Sequence, residues 1–178
     1  MRAFVALPLP EAFELRLRAL MRELGPSLPG LRFVRPEGVH LTLRFLGSAT
    51  SEQLNTLGPL LASAAERCGR GSARVSGLGV FPERGAPRVL WLGLELPVPY
   101  LALQRDCEAA AVSAGFAAEG RPFHPHLTLG RWKDRAGRPR LPETDLSSCS
   151  LDELVLFRSD SRQGGSVYTK LARYSLSP

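Results

Sequence analysis

The chain of 178 residues is 44% apolar and 22% charged, enough to bury a sizeable core at about the size of one domain, which excludes a disordered tail or a linker. Its 23 basic and 17 acidic residues give a net charge of +6; that suits a polyanionic partner, although all the basic residues but Lys133 and Lys170 are arginine and a solvated basic surface accounts for the excess equally well. No apolar run approaches the roughly 20 residues that span a bilayer, and Pro8 and Pro10 break the opening before a signal-peptide core can form, so a cytoplasmic protein without a membrane segment is expected.

Arg2 to Leu7 is a short apolar run closed by proline and reads as a strand. In "PEAFELRLRALMREL" the residues Phe13, Leu17, Leu20 and Leu24 recur at spacings of three and four, Pro10 suits a first helical turn, and Gly25-Pro26 ends the helix. Phe33 to Arg35 and Val39 to Leu46 are predicted strands around the turn-forming "PEG", and Ser51 to Arg67 a second helix. Ala73 to Phe81 and Val89 to Leu96 flank "PERGAP" as a hairpin, after which Leu101 to Ala114 is a third helix ended by Gly115. Further strands are predicted at His126 to Trp132, Leu151 to Arg158 and Val167 to Tyr174, the last after a flexible "SRQGG", while 133–150 reads as a surface loop. Three helices among seven or more strands, linked by hairpins, predict an α+β fold with mainly antiparallel sheets. Neither GxxxxGK[ST] nor GxGxxG occurs, which argues against a nucleotide-binding fold of either type.

His40-Leu41-Thr42-Leu43 returns letter for letter as His126-Leu127-Thr128-Leu129, so two of the three histidines carry the same context. One H-x-T on a strand is more often structural than catalytic; the repetition in opposite halves reverses that judgement. On a strand the His and Thr of each copy share a face and the leucines pack behind. If the halves are related by approximate two-fold symmetry, the two imidazoles flank one substrate atom across a central groove.

That arrangement suits opening of a cyclic phosphodiester, which needs one group to take a proton from water and another, on the far side of phosphorus, to protonate the departing oxygen. Imidazoles with an unperturbed pKa of about 6.5 can share the two tasks near neutral pH. The Thr42 and Thr128 hydroxyls can donate to the non-bridging oxygens. Arg44, two residues beyond Thr42, shares that face on a regular strand, and Arg131 follows the second copy through Gly130; either guanidinium can fork onto phosphate. Phe45 is expected to face the core on a regular strand, and only a bulge or a strand end frees it to stack on a base. His124 and His126 could clamp a metal, but the chain has one further His and no carboxylate at a fixed spacing, so His124 is expected to shape the strand or make a supporting hydrogen bond. Cys68, Cys107 and Cys149 are odd in number and far apart, which argues for reduced thiols over a disulfide or zinc framework.

With "MRAFVALPLP", "VHLTLRFLG", "RPFHPHLTLGR" and "GSVYTKL" spread over the whole length, the sequence resembles the two-histidine (2H) phosphoesterases, and within them the RNA 2′,3′-cyclic phosphodiesterases once described as 2′-5′ RNA ligases. The resemblance implies one domain over residues 1–178 made of two similar lobes with pseudo-two-fold symmetry, two antiparallel sheets around a central groove, and helices outside. It also implies His40 as proton donor, His126 as proton acceptor and Thr42 and Thr128 as phosphate ligands. No metal or other cofactor is implied, and a monomer is expected. The reaction implied is opening of RNA 2′,3′-cyclic phosphate ends to 2′-phosphomonoesters, with 2′-5′ ligation as the reverse chemistry. The alternatives are a relative acting on 2′-5′ oligonucleotides or small cyclic nucleotides, and a non-catalytic RNA-binding module.

Overall fold

The computed structural model describes residues 1–163 and 165–178. Its strands are β1 (Arg2–Pro8), β2 (Leu31–Phe33), β3 (His40–Ser48), β4 (Gly71–Phe81), β5 (Val89–Glu95), β6 (His126–Trp132), β7 (Ser148–Leu151), β8 (Glu153–Arg162) and β9 (Gly165–Ser175), with helices α1 (Glu11–Leu24), α2 (Ser51–Arg67) and α3 (Val98–Ser113). The helices form for local reasons. α1 buries Phe13, Leu17, Leu20, Met21 and Leu24, a stripe at helical spacing. Thr50 and Gln53 close a reciprocal capping box at the start of α2, each side chain taking the other's backbone N–H at 3.1 Å. α3 begins three residues earlier than expected, with Pro97 as its N-cap and Pro99 in the first turn, where a missing N–H costs nothing.

The strands run in the order β7-β4-β5-β6-β3-β1-β8-β9, with β2 added on β6, and the named pairs are antiparallel. The two sheets expected from the sequence correspond to β3-β1-β8-β9 and β6-β5-β4-β7, joined edge to edge where Leu41 lies opposite Leu127. Each half repeats one plan: β1 leads through α1 back to β3 beside it, and β5 leads through α3 back to β6. The first helix nevertheless reaches the other half, since Arg16 donates to the carbonyls of Leu146 at 2.7 Å and Ser148 at 3.2 Å. α3 packs on α2 and on β3.

One face of the sheet carries the main core, in which Val5, Leu7, Leu41, Leu90, Leu92, Leu127 and Leu129 are fully buried among helix side chains. Each such aliphatic side chain contributes on the order of 1.5–3 kcal/mol. The other face bears a smaller cluster of Phe4, Ala6, Val155 and Phe157, so β1 is covered on both faces. All three cysteines are buried free thiols. No helix among the described residues is long and apolar enough to cross a membrane.

Other boundaries also differ from expectation. The strand placed at 33–35 lies at Leu31–Phe33, ahead of a 3-10 turn at Pro36–Gly38. The end of the 133–150 loop, Ser148 to Ser150, is strand, because Ser72 and Arg74 of β4 offer it an open edge. β8 and β9 extend well into the connection expected to be flexible; of "SRQGG", Gly164 lies outside the described residues.

Gly130 is where β2 meets β6: a Cβ there would stand 2.9 Å from the Arg32 carbonyl oxygen and 3.0 Å from Leu31. Gly130→Ala must therefore push β2 off β6, at a cost of about 1–3 kcal/mol. Thermal unfolding should show a Tm lower by several degrees, and an unchanged Tm would contradict this packing.

Candidate active site

The seam between the half-sheets places both repeated motifs side by side. With Leu41 opposite Leu127, continuing the antiparallel register by one residue each way sets His40 across from Thr128 and Thr42 across from His126. The leucines enter the core, so the four polar side chains share the opposite face, where all are half-buried. The histidines occupy one diagonal of this quadrilateral and the threonines the other, a separation of roughly 7–8 Å between backbone positions.

Each imidazole is held in the same way. His40 Nδ1 donates to the Gly38 carbonyl at 2.8 Å, and His126 Nδ1 donates to the His124 carbonyl at 2.7 Å. A carbonyl only accepts, so Nδ1 carries a hydrogen in both rings and Nε2 is the nitrogen left to exchange a proton. The surroundings differ. The His40 ring stacks on Phe4 at 4.6 Å and lies against Phe157 and Tyr168, whereas His126 meets the edges of Phe81 at 5.2 Å and Trp91 at 6.4 Å. Burial pushes the His40 pKa down to about 4; the Gly38 hydrogen bond opposes this and the nearby His126 adds to it. His126 is also lowered by burial, opposed by the His124 carbonyl and reinforced by the charges of His124 and Arg131.

The other predicted residues divide. In β3 the pairing with β1 skips Leu43: Thr42 faces Ala6 and Arg44 faces Val5. This bulge reverses the alternation, which corrects the expectation for Arg44 and is the stated exception for Phe45. Arg44 does not share the face of the motif; it points into the core, is only 7% exposed, and gives its guanidinium to Glu108 and to the carbonyls of Phe45 and Ala117. A guanidinium so engaged is not available to a phosphate. Phe45 does not enter the core; it sits opposite Phe4, 56% exposed, with its ring 6.1 Å from that of Phe4. β6 repeats the device against β5, skipping Leu129, so that Arg131 pairs with Val89 and stands exposed on the groove face near His126.

Sequence reasoning missed the aromatic walls, Phe4, Phe157 and Tyr168 around His40, and Phe81 and Trp91 around His126. One signal was available. Gly79 interrupts β4, and strand glycines mark close approach of another group. A Cβ on Gly79 would collide with the Trp91 indole, which lies across that strand, and one on Gly93 would stand 3.1 Å from the same ring. His124 rests its ring on Trp91 at 4.9 Å and serves His126 through its carbonyl, the supporting hydrogen bond expected of it. Among the described residues no group of three or more His, Cys, Asp or Glu could hold a metal ion.

Comparison with known proteins places the same residues in a wider context. The family model described as LigT like Phosphoesterase matches residues 7–91 and 95–168. An RNA 2′,3′-cyclic phosphodiesterase of Methanothermobacter thermautotrophicus is 31% identical over 98% of each chain. One of Geobacillus stearothermophilus is 34% identical over 88% of this chain, which spans about half (52%) of that longer protein. Among solved structures, TT0787 of Thermus thermophilus superposes with a TM-score of 0.87 at 33% identity over 99% of this chain and 98% of its own. E. coli LigT complexed with 3′-AMP gives 0.86 at 28% identity over the same shares. A repeated histidine motif at the seam of two antiparallel half-sheets, with relatives this similar over nearly the full length, makes the chain a member of the LigT-like, two-histidine phosphoesterase family.

Proposed function

We propose that the protein opens RNA 2′,3′-cyclic phosphate ends to 2′-phosphomonoesters without a metal, using His40 and His126 as its acid–base pair and residues 1–178 as one domain of two similar lobes. The observation that carries this reading is the quadrilateral at the seam: two imidazoles on one diagonal, each with Nδ1 occupied and Nε2 available, and two hydroxyls on the other. The names of the relatives support the substrate, and the 3′-AMP held by E. coli LigT supports a nucleotide-sized site.

In this mechanism the phosphate sits between the histidines with Thr42 and Thr128 donating to its non-bridging oxygens, where negative charge grows as phosphorus becomes five-coordinate. His126 Nε2 removes a proton from the attacking water. As the water oxygen bonds to phosphorus, the bond to the 3′ oxygen breaks and His40 Nε2 delivers a proton to that oxygen. The products are a 2′-phosphomonoester and a free 3′ hydroxyl, with His126 protonated and His40 neutral until solvent resets them. Arg131 on the rim neutralises the phosphate, and Phe45 offers a face to a base beyond it. The same steps, with the 5′ hydroxyl of a second RNA attacking phosphorus in place of water while the bond to the 3′ oxygen breaks, would give 2′-5′ ligation.

Assigning the proton to His40 has an electrostatic requirement. With a pKa of about 4, His40 is neutral near pH 7 in the free protein. An anionic phosphate beside a ring walled by aromatics favours the charged form, so substrate binding must be accompanied by uptake of the acid's proton from solvent.

An oligonucleotide ending in 2′,3′-cyclic phosphate should be opened in excess chelator to the 2′-phosphomonoester, and His40→Ala and His126→Ala should each lower kcat by about 10²–10⁴-fold. A 3′-phosphomonoester product would overturn the polarity. Faster turnover of 2′-5′ oligonucleotides or small cyclic nucleotides would move the substrate, and full activity in either variant would end the acid–base assignment.

Ring signals in NMR provide a separate check. His40 should titrate near pH 4 in the free protein, and saturating inorganic phosphate should raise its midpoint by more than about one pH unit. A midpoint that phosphate leaves unmoved would remove His40 as the donor.

A further inference from the structure

The carbonyls that hold the two histidines each end a segment tied to the strand of the opposite motif. Ahead of His40, β2 pairs Leu31, Arg32 and Phe33 with Trp132, Arg131 and Gly130 of β6, and Val34 N–H donates to the Leu129 carbonyl at 2.9 Å. That strap ends at Gly38, whose carbonyl takes His40 Nδ1–H. Ahead of His126, the chain from Ala117 to Glu119 lies beside β3. Here no ladder forms; the Arg44 guanidinium spans the gap to the Ala117 carbonyl and to the Glu108 carboxylate on α3, and Glu108 also accepts the Glu119 N–H at 2.9 Å. This second strap ends at His124, whose carbonyl takes His126 Nδ1–H.

Arg44 and Gly130 occupy equivalent places, each two residues past the motif threonine and just beyond the bulge. At Gly130 the missing side chain lets β2 backbone approach directly. On β3 the strap stands further off, and a long, forked side chain closes the distance. A guanidinium can serve a carboxylate and two carbonyls at once, which an ammonium on a flexible stem cannot.

We propose that Arg44 and Glu108 form a positioning clamp for His126: they fix the strap that carries the His124 carbonyl, and thereby the tautomer and the aim of the His126 ring. The effect on turnover rests on the reading of His126 under Proposed function; the effect on the ring does not. Catalytic groups displaced by about 1 Å can lose about 10²-fold in rate, so the clamp belongs to kcat rather than to binding.

Removing one partner of a buried pair strands the other, whereas replacing both with apolar residues is often tolerated; the decisive variant is therefore Arg44→Met with Glu108→Leu. NMR of the imidazole nitrogens without substrate should show His126 losing its single Nδ1–H tautomer while His40 keeps its own. With a cyclic-phosphate-ended oligonucleotide, kcat should fall at least about tenfold with KM within about threefold. Should the double variant not fold, Arg44→Lys, which keeps the charge beside Glu108 but cannot fork onto the carbonyls, is read in the same two ways. His126 unchanged in the folded variant, or both rings disturbed alike, overturns the clamp. Failure of the parent enzyme on cyclic phosphate ends overturns only the substrate reading, because the ring nitrogens still decide the clamp.

Discussion

Leu41 against Leu127 is the contact through which β3 and β6 meet, and its register determines the rest of the site. Both leucines are fully buried, so the strands are held by the core behind them as well as by their backbones. A slip of one residue would send every side chain of one strand to the opposite face: His and Thr would enter a hydrocarbon core and leucines would line the groove. The core enforces the register because the alternative would bury an imidazole and a hydroxyl without partners. Packing on one side of the sheet thus specifies the chemistry available on the other.

The same face explains why the histidines are poor bases. Phe4, Phe157 and Tyr168 enclose His40, and a ring walled by aromatics loses the water that would stabilise its cation. Between pH 6.5 and about 4 the unfolded chain binds a proton there that the folded protein declines. Linkage then makes the fold less stable as the pH falls through that window. A neutral ring is tolerated well and a charged one poorly, so in the proposed mechanism it is the arrival of an anionic phosphate that favours the charged form.

How much of this was legible depended on whether the signal was local. The repeated His-Leu-Thr-Leu revealed the site because strand alternation converts i and i+2 into one face without any knowledge of the fold. The failure at Arg44 came from the same rule applied two residues too far, and Phe45 needed the bulge that the rule alone does not supply. The bulge at Leu43 is set by how β1 lies beside β3, and nothing in "TLRFL" announces it. The second motif carries its own bulge at Leu129, and there Gly130 offered a hint, since strand glycines often mark irregular pairing. The merging of two sheets into one was equally invisible, as it rests on a single cross-strand pair between residues in opposite halves of the chain. β7 was hidden in a Ser- and Pro-rich stretch because its pairing is supplied by β4, not by its own propensity.

The two halves share a plan but are not copies, and the differences fall where a phosphodiester reaction is asymmetric. Beyond the bulge, one half presents an exposed ring, Phe45, and the other an exposed cation, Arg131. One histidine is stacked in an aromatic enclosure and the other meets ring edges beside an arginine. One strap is tied by a backbone ladder and the other by a side-chain clamp. Water attacks one side of phosphorus and the sugar oxygen leaves from the other, so a perfectly two-fold site would offer the same proton affinity to two unlike tasks. In the proposed mechanism, unequal walls around equal motifs give the two rings different surroundings for those tasks, while the shared seam sets both beside one phosphate.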